Sequence, residues 1–128
     1  MRKNSTIDVD VTHQRQRVLT EAVVKAAEIM GLSQVVLAQT IGVSGSSVSR
    51  MKAGDYLLKE KSKEWELAAL LVRLFRSLDA IVAGDERSLR SWLKGYNTAL
   101  RETPLNIITT VSGLTKTVDY VDAYRARV

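Results

Sequence analysis

The stretch Ser33–Gly54, SQVVLAQTIGVSGSSVSRMKAG, constrains the fold more than any other part of the chain. It reads as two short helices joined by a tight turn. Ser33 is placed to cap the first helix, its hydroxyl accepting a bond from a free amide of the opening turn. Val36, Leu37 and Ile41 recur near one face of that helix. Gly42 follows where the chain turns a corner, a position that favours a residue tolerant of positive φ. Val43 packs the corner, Ser44 caps the second helix, Val48 and Met51 point inward, and Gly54 is the stop. Ala38, four residues before Gly42, stands where two crossing helices come closest and a larger side chain would clash. Leu37, Ala38, Ile41, Gly42, Val43, Val48 and Met51 together satisfy the steric template of a helix-turn-helix.

With 128 residues the chain holds one domain or two very small ones, and its 45% hydrophobic content is enough to pack a core. A single proline interrupts a sequence rich in Ala, Leu, Val, Lys, Arg and Glu, so the expected fold class is all-α. Aromatic residues make up only 5%, which argues against a stacking platform for single-stranded nucleic acid. The net charge of +5 biases the protein toward polyanions, because each phosphate neutralised releases counterions. There is no cysteine, which removes disulfides and thiolate metal sites and fits a cytoplasmic protein. Met1–Asp10 is polar, without the apolar core of a signal peptide, and no apolar run approaches the ~20 residues that span a bilayer.

Taken in order, Met1–Val11 reads as a loose polar arm, in which Arg2 and Lys3 either fray or brush a phosphate backbone. A first helix is expected from about Thr12, its cap, to Met30. Its inner stripe is Val18, Ala22, Val23, Ala26, Ala27 and Met30, and Gly31 stops it. Beyond Gly54, Leu57 and Leu58 turn to the core, while Lys59, Lys61 and Lys63 face solvent or phosphate. A long helix from about Ser62 to Ala83 is apolar around more than half its circumference, through Trp65, Leu67, Ala68, Leu71, Val72, Phe75, Leu78, Ala80, Ile81 and Val82. Such a helix is central to a core or shared with a partner, and a homodimer built on it is expected. Gly84 ends it, and Asp85 caps a helix whose apolar face is Leu89, Trp92 and Leu93. Thr103 and Pro104 start another, with Pro tolerated at the first helical position and Leu105, Ile107 and Ile108 burying. Ser112 is expected to cap a last helix carrying Leu114, Val118 and Val121 at helical spacing, with Tyr120, Tyr124 and Arg125 nearby. The expected division is 1–61 for the helix-turn-helix domain and 62–128 for a second helical domain.

Catalysis needs positioned acids, bases or nucleophiles. The chain has one histidine, His13, in an exposed first turn, and no glycine-rich phosphate loop, so an enzyme is not expected. Nor is a metal or other cofactor. Asp79, Asp119 and Asp122 are the only carboxylates near apolar stripes. Asp119 and Asp122 share a helical face that suits a cation, or pairing with Arg125.

The words GLSQ, LAQTIGVS and VSRMKAG resemble the DNA-binding domain of phage-repressor (Cro/C1, or Xre) type. That family lays its second helix in the major groove while the first crosses the backbone. Carried across, the resemblance implies that Ser44, Gly45, Ser46, Ser49 and Arg50 face DNA and that Gln34 opens the supporting helix near a phosphate. Arg50 is the only long donor on that helix. It either bonds a guanine, a contact worth about 1–3 kcal/mol of discrimination, or pairs with an acid of its own domain.

Downstream, WLKGYNTAL, TPLNIITT and SGLTKTVDYVDAYRARV are similar to the C-terminal domain of the MbcA/ParS/Xre antitoxin family. Trp92, Leu93, Asn97, Ala99, Leu100, Thr103, Pro104, Leu105, Ile108, Gly113 and Val118 carry the match. The resemblance implies an antitoxin whose second domain, residues 62–128, dimerises and binds a RES-domain toxin, an NAD-degrading enzyme. It further implies that Tyr120, Tyr124, Arg125, Arg127 and the carboxylate of Val128 block the toxin cleft, and that the first domain binds operator DNA. Two alternatives stay open on sequence alone. One is a phage-like transcriptional repressor whose second half only dimerises. The other is an interaction module whose helix-turn-helix no longer touches DNA.

Overall fold

Side-chain caps set where most of the helices begin. The Ser33 hydroxyl accepts the Val36 amide at 3.1 Å, Ser44 accepts Ser47 at 3.1 Å and Ser62 accepts Trp65 at 3.1 Å. Asp85 takes the amides of Arg87 and Ser88 at 3.1 and 3.3 Å. Each bond satisfies one of the amides that a helix start leaves without a partner. The computed structural model describes the backbone of residues 2–127 and the side chains of residues 9–127. The helices run α1 (Arg2–Met30), α2 (Gln34–Ile41), α3 (Gly45–Ala53), α4 (Lys63–Ile81), α5 (Glu86–Lys94), α6 (Pro104–Ile107) and α7 (Val111–Arg127). Among the described residues the only β pairing is an isolated bridge between Asn97 and Glu102. The fold is all-α, as expected.

The helix-turn-helix forms as its sequence dictates. Gly42 takes the left-handed conformation at φ 77°, and its amide bonds back to the Ala38 carbonyl, closing α2 and turning the chain. Leu37, Ala38, Ile41, Val48 and Met51 are buried, and Val43 packs half-buried at the corner. The loop after α3 is tied to α1 by Thr20. This buried hydroxyl donates to the Gln16 carbonyl at 2.7 Å and accepts the Leu58 amide at 3.0 Å.

At the centre lies α4, packed against α1, α2, α5 and α7. Its Ala68, Leu71, Leu74 and Leu78 are essentially sealed from solvent, each large side chain worth about 1.5–3 kcal/mol of burial. One hydrophobic cluster runs from Val23 of α1 through Leu37, Ile41, Val48 and Met51 to Leu89, Leu93, Leu114, Val118 and Val121. The chain's own helices cover Ala68, Leu71, Val72, Leu74 and Leu78, while Trp65, Leu67, Phe75, Ile81 and Val82 of the same helix stay partly exposed.

Two helix starts and one buried stripe differ from the sequence reading. First, α1 starts at Arg2 rather than Thr12. Polarity alone does not end a helix, and no Gly or Pro stands between the two positions. The side chains of Arg2 and Lys3 lie outside the described residues. Second, the inner stripe of α1 begins later than expected: Val23, Ala26, Ala27 and Met30 are buried, but Val18 is 59% exposed. Third, α7 begins at Val111, and Thr110 rather than Ser112 supplies its cap, accepting the Gly113 amide at 3.0 Å. There α6 runs so close to α7 that a Cβ on Gly113 would collide with the Ile107 carbonyl oxygen. Between the two halves, Arg90 of α5 caps the C-terminus of α1, donating to the carbonyls of Ile29 at 2.8 Å and Glu28 at 2.9 Å. A guanidinium suits the negative end of a helix dipole.

Candidate functional site

The exposed edge of α3 carries Gly45, Ser46, Ser49 and Arg50, with Ser44 at its cap. Val48 and Met51 hold the opposite edge in the core, which fixes the rotation of the helix about its axis. Gln34 sits across from it. Its side-chain amide donates to the Gly45 carbonyl and to the Ser49 hydroxyl, both at 2.8 Å. It thus clips the start of α2 to α3, a part the sequence did not show, because the partners stand eleven and fifteen residues away. Ser44 is engaged in capping and in hydroxyl contacts with Ser46 and Ser47 at 3.1 and 3.0 Å. Ser47 is buried.

Arg50 does not pair with an acid. Among the described residues the ion pairs are Arg15–Glu60 and Arg73–Asp122. The Arg50 guanidinium instead lies over the Tyr56 ring, 5.2 Å from its centroid, with Nη2 3.4 Å from the Ser47 hydroxyl. Such a stack leaves the edge of the guanidinium, with its N–H donors, free for an acceptor. Tyr56 was missed at the sequence level, six residues from its partner in a mixed segment with no periodicity. Lys52, Lys59, Lys61 and Lys63 are exposed on the same part of the chain.

The second candidate surface is the end of α7, where the structure separates the expected residues. Tyr120 is half-buried and stacks on Trp92 of α5, ring centroids 6.5 Å apart and 15° from parallel. Tyr124 is 47% exposed and lies one turn on. The two tyrosines line an apolar hollow of about 280 Å³ with Leu78, Ile81, Val82, Trp92 and Val121. Arg125 points the other way, its Nη1 3.4 Å from the Ser77 hydroxyl of α4. Arg127 is exposed, and Val128 lies outside the described residues. Val121 is the last buried residue of α7, so the helix extends past the core over its final turns.

Asp122 pairs with α4 rather than with Arg125. The Ser77 hydroxyl donates to its Oδ1 at 2.7 Å, and Arg73 Nη2 lies 2.6 Å from its Oδ2. The expected cation face of Asp119 and Asp122 does not assemble: Asp119 stays in solvent while Asp122 is held against α4. Among the described residues, no three His, Cys, Asp or Glu side chains are grouped to hold a metal ion. No described helix is long and apolar enough to cross a membrane.

The geometry thus presents two separate exposed edges, a basic hydroxyl-rich one on α3 and an aromatic and basic one on α7. Comparison with protein families finds the antitoxin Xre-like helix-turn-helix domain over residues 10–73 and the antitoxin Xre/MbcA/ParS C-terminal toxin-binding domain over residues 77–127. No curated protein matches the chain. With both domain families present in order and together spanning nearly its whole length, the chain belongs to the Xre/MbcA/ParS family of antitoxins of toxin–antitoxin pairs.

Proposed function

We propose that the protein neutralises a RES-domain, NAD-degrading toxin by seating the exposed end of α7 at the toxin's active-site cleft. We propose also that it represses its own operon by docking α3 in the major groove. The division of labour follows the chain, with residues 1–61 meeting DNA and residues 62–128 meeting the toxin. One observation carries the toxin reading: the toxin-binding match continues through residue 127, well past Val121, the last residue of α7 that the core needs. Residues 123–127 of α7 are exposed, and Tyr124 and Arg127 offer an aromatic face and a cation to a partner. Tyr120 acts indirectly, through its stack on Trp92, and Arg125 stays beside Ser77, away from the tyrosines. The same toxin-binding match separates this reading from a plain phage-like repressor.

The test is co-expression with the RES-domain protein of the adjacent gene. The wild-type chain should co-purify with the toxin and keep cellular NAD at its normal level. A Tyr124→Ala/Arg127→Glu double variant should lose both while still shifting promoter DNA. Full protection by that variant would refute occlusion by α7.

A further inference from the structure

The apolar hollow between the end of α4, α5 and the end of α7 measures about 280 Å³. Leu78 and Val121 form its base and are sealed from solvent. Trp92, Tyr120, Ile81 and Val82 are only half-buried around it, and Tyr124 stands exposed at its edge. Aromatic and aliphatic surface grouped in this way marks a place where another molecule sits.

Size and charge restrict that molecule. No charged side chain lines the hollow. The wider groove of about 930 Å³ between α1, α4 and α7 is different, for Arg15, Arg73, Arg76 and Arg125 line it. A nucleotide or other anion therefore finds no counter-charge in the hollow. A cavity of about 150 Å³ takes up benzene, whereas sites for drug-sized molecules run from roughly 300 to 1,000 Å³. The hollow thus suits one large apolar side chain. Two observations say whose. All seven lining residues fall within the 77–127 match to a toxin-binding domain. Tyr124 also belongs both to the hollow and to the exposed end of α7, so a partner seated on that end passes over the hollow.

We infer that the hollow takes one large apolar side chain of the toxin, a leucine or phenylalanine in kind, projecting from beside the toxin's cleft. This rests on the toxin reading above and deepens it. The hollow holds the toxin, and the last turn of α7, with Arg127, does the blocking. The hollow is stiff before binding. Trp92 is stacked on Tyr120, and Asp122, next to Val121, is clamped to Ser77 and Arg73 of α4. A preformed pocket walled by Trp and Tyr spares much of the ordering cost of association and has the composition of an interface hot spot.

Binding and blocking are measured separately, with the RES-domain protein of the adjacent gene as the probe. Ile81→Trp fills the hollow with the chain's own ring. In calorimetric titration it should raise Kd for the probe about 30-fold or more, yet still stop NAD degradation at saturating concentration. Arg127→Glu should split the other way, with a smaller change in Kd and residual NAD degradation at saturation. Promoter binding should be unchanged in both variants, and Ile81→Trp should melt as cooperatively as the wild type. The chain has no cysteine, so Val82→Cys gives a second measurement. Its thiol should react with maleimide in the free protein and be protected in the complex, and this result decides alone should Ile81→Trp fail to fold. An unchanged Kd for folded Ile81→Trp, with the wild type bound and inhibitory, would overturn the anchoring role and leave the toxin reading standing. So would a Val82→Cys thiol that stays reactive in the complex. Protection that appears on raising the concentration of the variant alone would assign the hollow to a second copy and equally overturn it. No binding by the wild type would overturn the toxin reading, and the anchor with it.

Discussion

At the scale of single residues, the least replaceable side chain is one that is absent. Gly113 lets α6 and α7 meet with the Ile107 carbonyl where a Cβ would be. Gly113→Ala must push two backbones apart, an overpacking cost of about 1–3 kcal/mol, and thermal unfolding should show a clear drop in Tm. Thr20 shows the complementary case. Thr20→Val keeps the shape but leaves the buried Leu58 amide without its acceptor, costing about 1–3 kcal/mol by denaturant titration. In the proposed docking of α3 on DNA, recognition leans on Arg50. Held by Tyr56 rather than by an acid, it keeps its donors available. Arg50→Ala should weaken operator binding about 10- to 100-fold in a gel shift, and Tyr56→Ala should weaken it less. Equal binding by wild type and Arg50→Ala would remove this residue from the interface. The caps Ser33 and Ser44 and the turn at Gly42 were legible in sequence because a cap acts within three residues of itself. The Tyr56 stack and the clip of Gln34 onto α3 were not, because those partners come from the fold.

At the scale of elements, α1 and α7 each do something their sequences understate. α1 buries apolar side chains in the bundle only in its second half, through Val23, Ala27 and Met30, with the Arg90 guanidinium on its last carbonyls; nearer its middle, Arg15 and Gln16 reach Glu60. Arg90→Ala removes two charge-assisted bonds across the two halves. It should lower stability by about 1–3 kcal/mol without changing DNA or toxin binding in the folded protein, as thermal melts set beside binding assays would show. α7 is clamped to α4 through Asp122, Ser77 and Arg73. The clamp fixes the direction in which its last turns leave the core. The expected Asp122–Arg125 pairing rested on helical spacing alone. A serine and an arginine on α4, each more than forty residues away in sequence, outcompete it.

At the scale of the whole molecule, the proposed functions divide but folding does not. The hydrophobic cluster passes through α4 without a break, and α4 supplies Ala68, Leu71 and Leu74 to a core that also contains α1 and α2. A fragment ending at residue 61 would expose Leu37, Ile41 and Leu58. It should lack a cooperative thermal transition by circular dichroism, whereas the full chain should melt in one. The net charge of +5 acts at this scale too. Promoter affinity should fall linearly with salt on a log–log plot, with a slope near −0.9 per phosphate contacted, and a slope near zero would argue against backbone contacts.

Local chemistry is what the sequence determined unaided. A helix cap, a left-handed glycine and the spacing of apolar residues act over three to seven positions, so the helix-turn-helix, the long central helix and the order of the elements could be read directly. Tertiary structure decided which exposed residues share a surface. It sent Arg125 toward Ser77 and Tyr124 toward the hollow beside Trp92, laid Arg50 on Tyr56, buried the Ala68, Leu71, Leu74 and Leu78 stripe of α4 under the chain's own helices and left α1 open beside a basic groove. Those outcomes depend on how helices cross and on which distant side chains meet in a low-dielectric interior, and no local pattern carries that information.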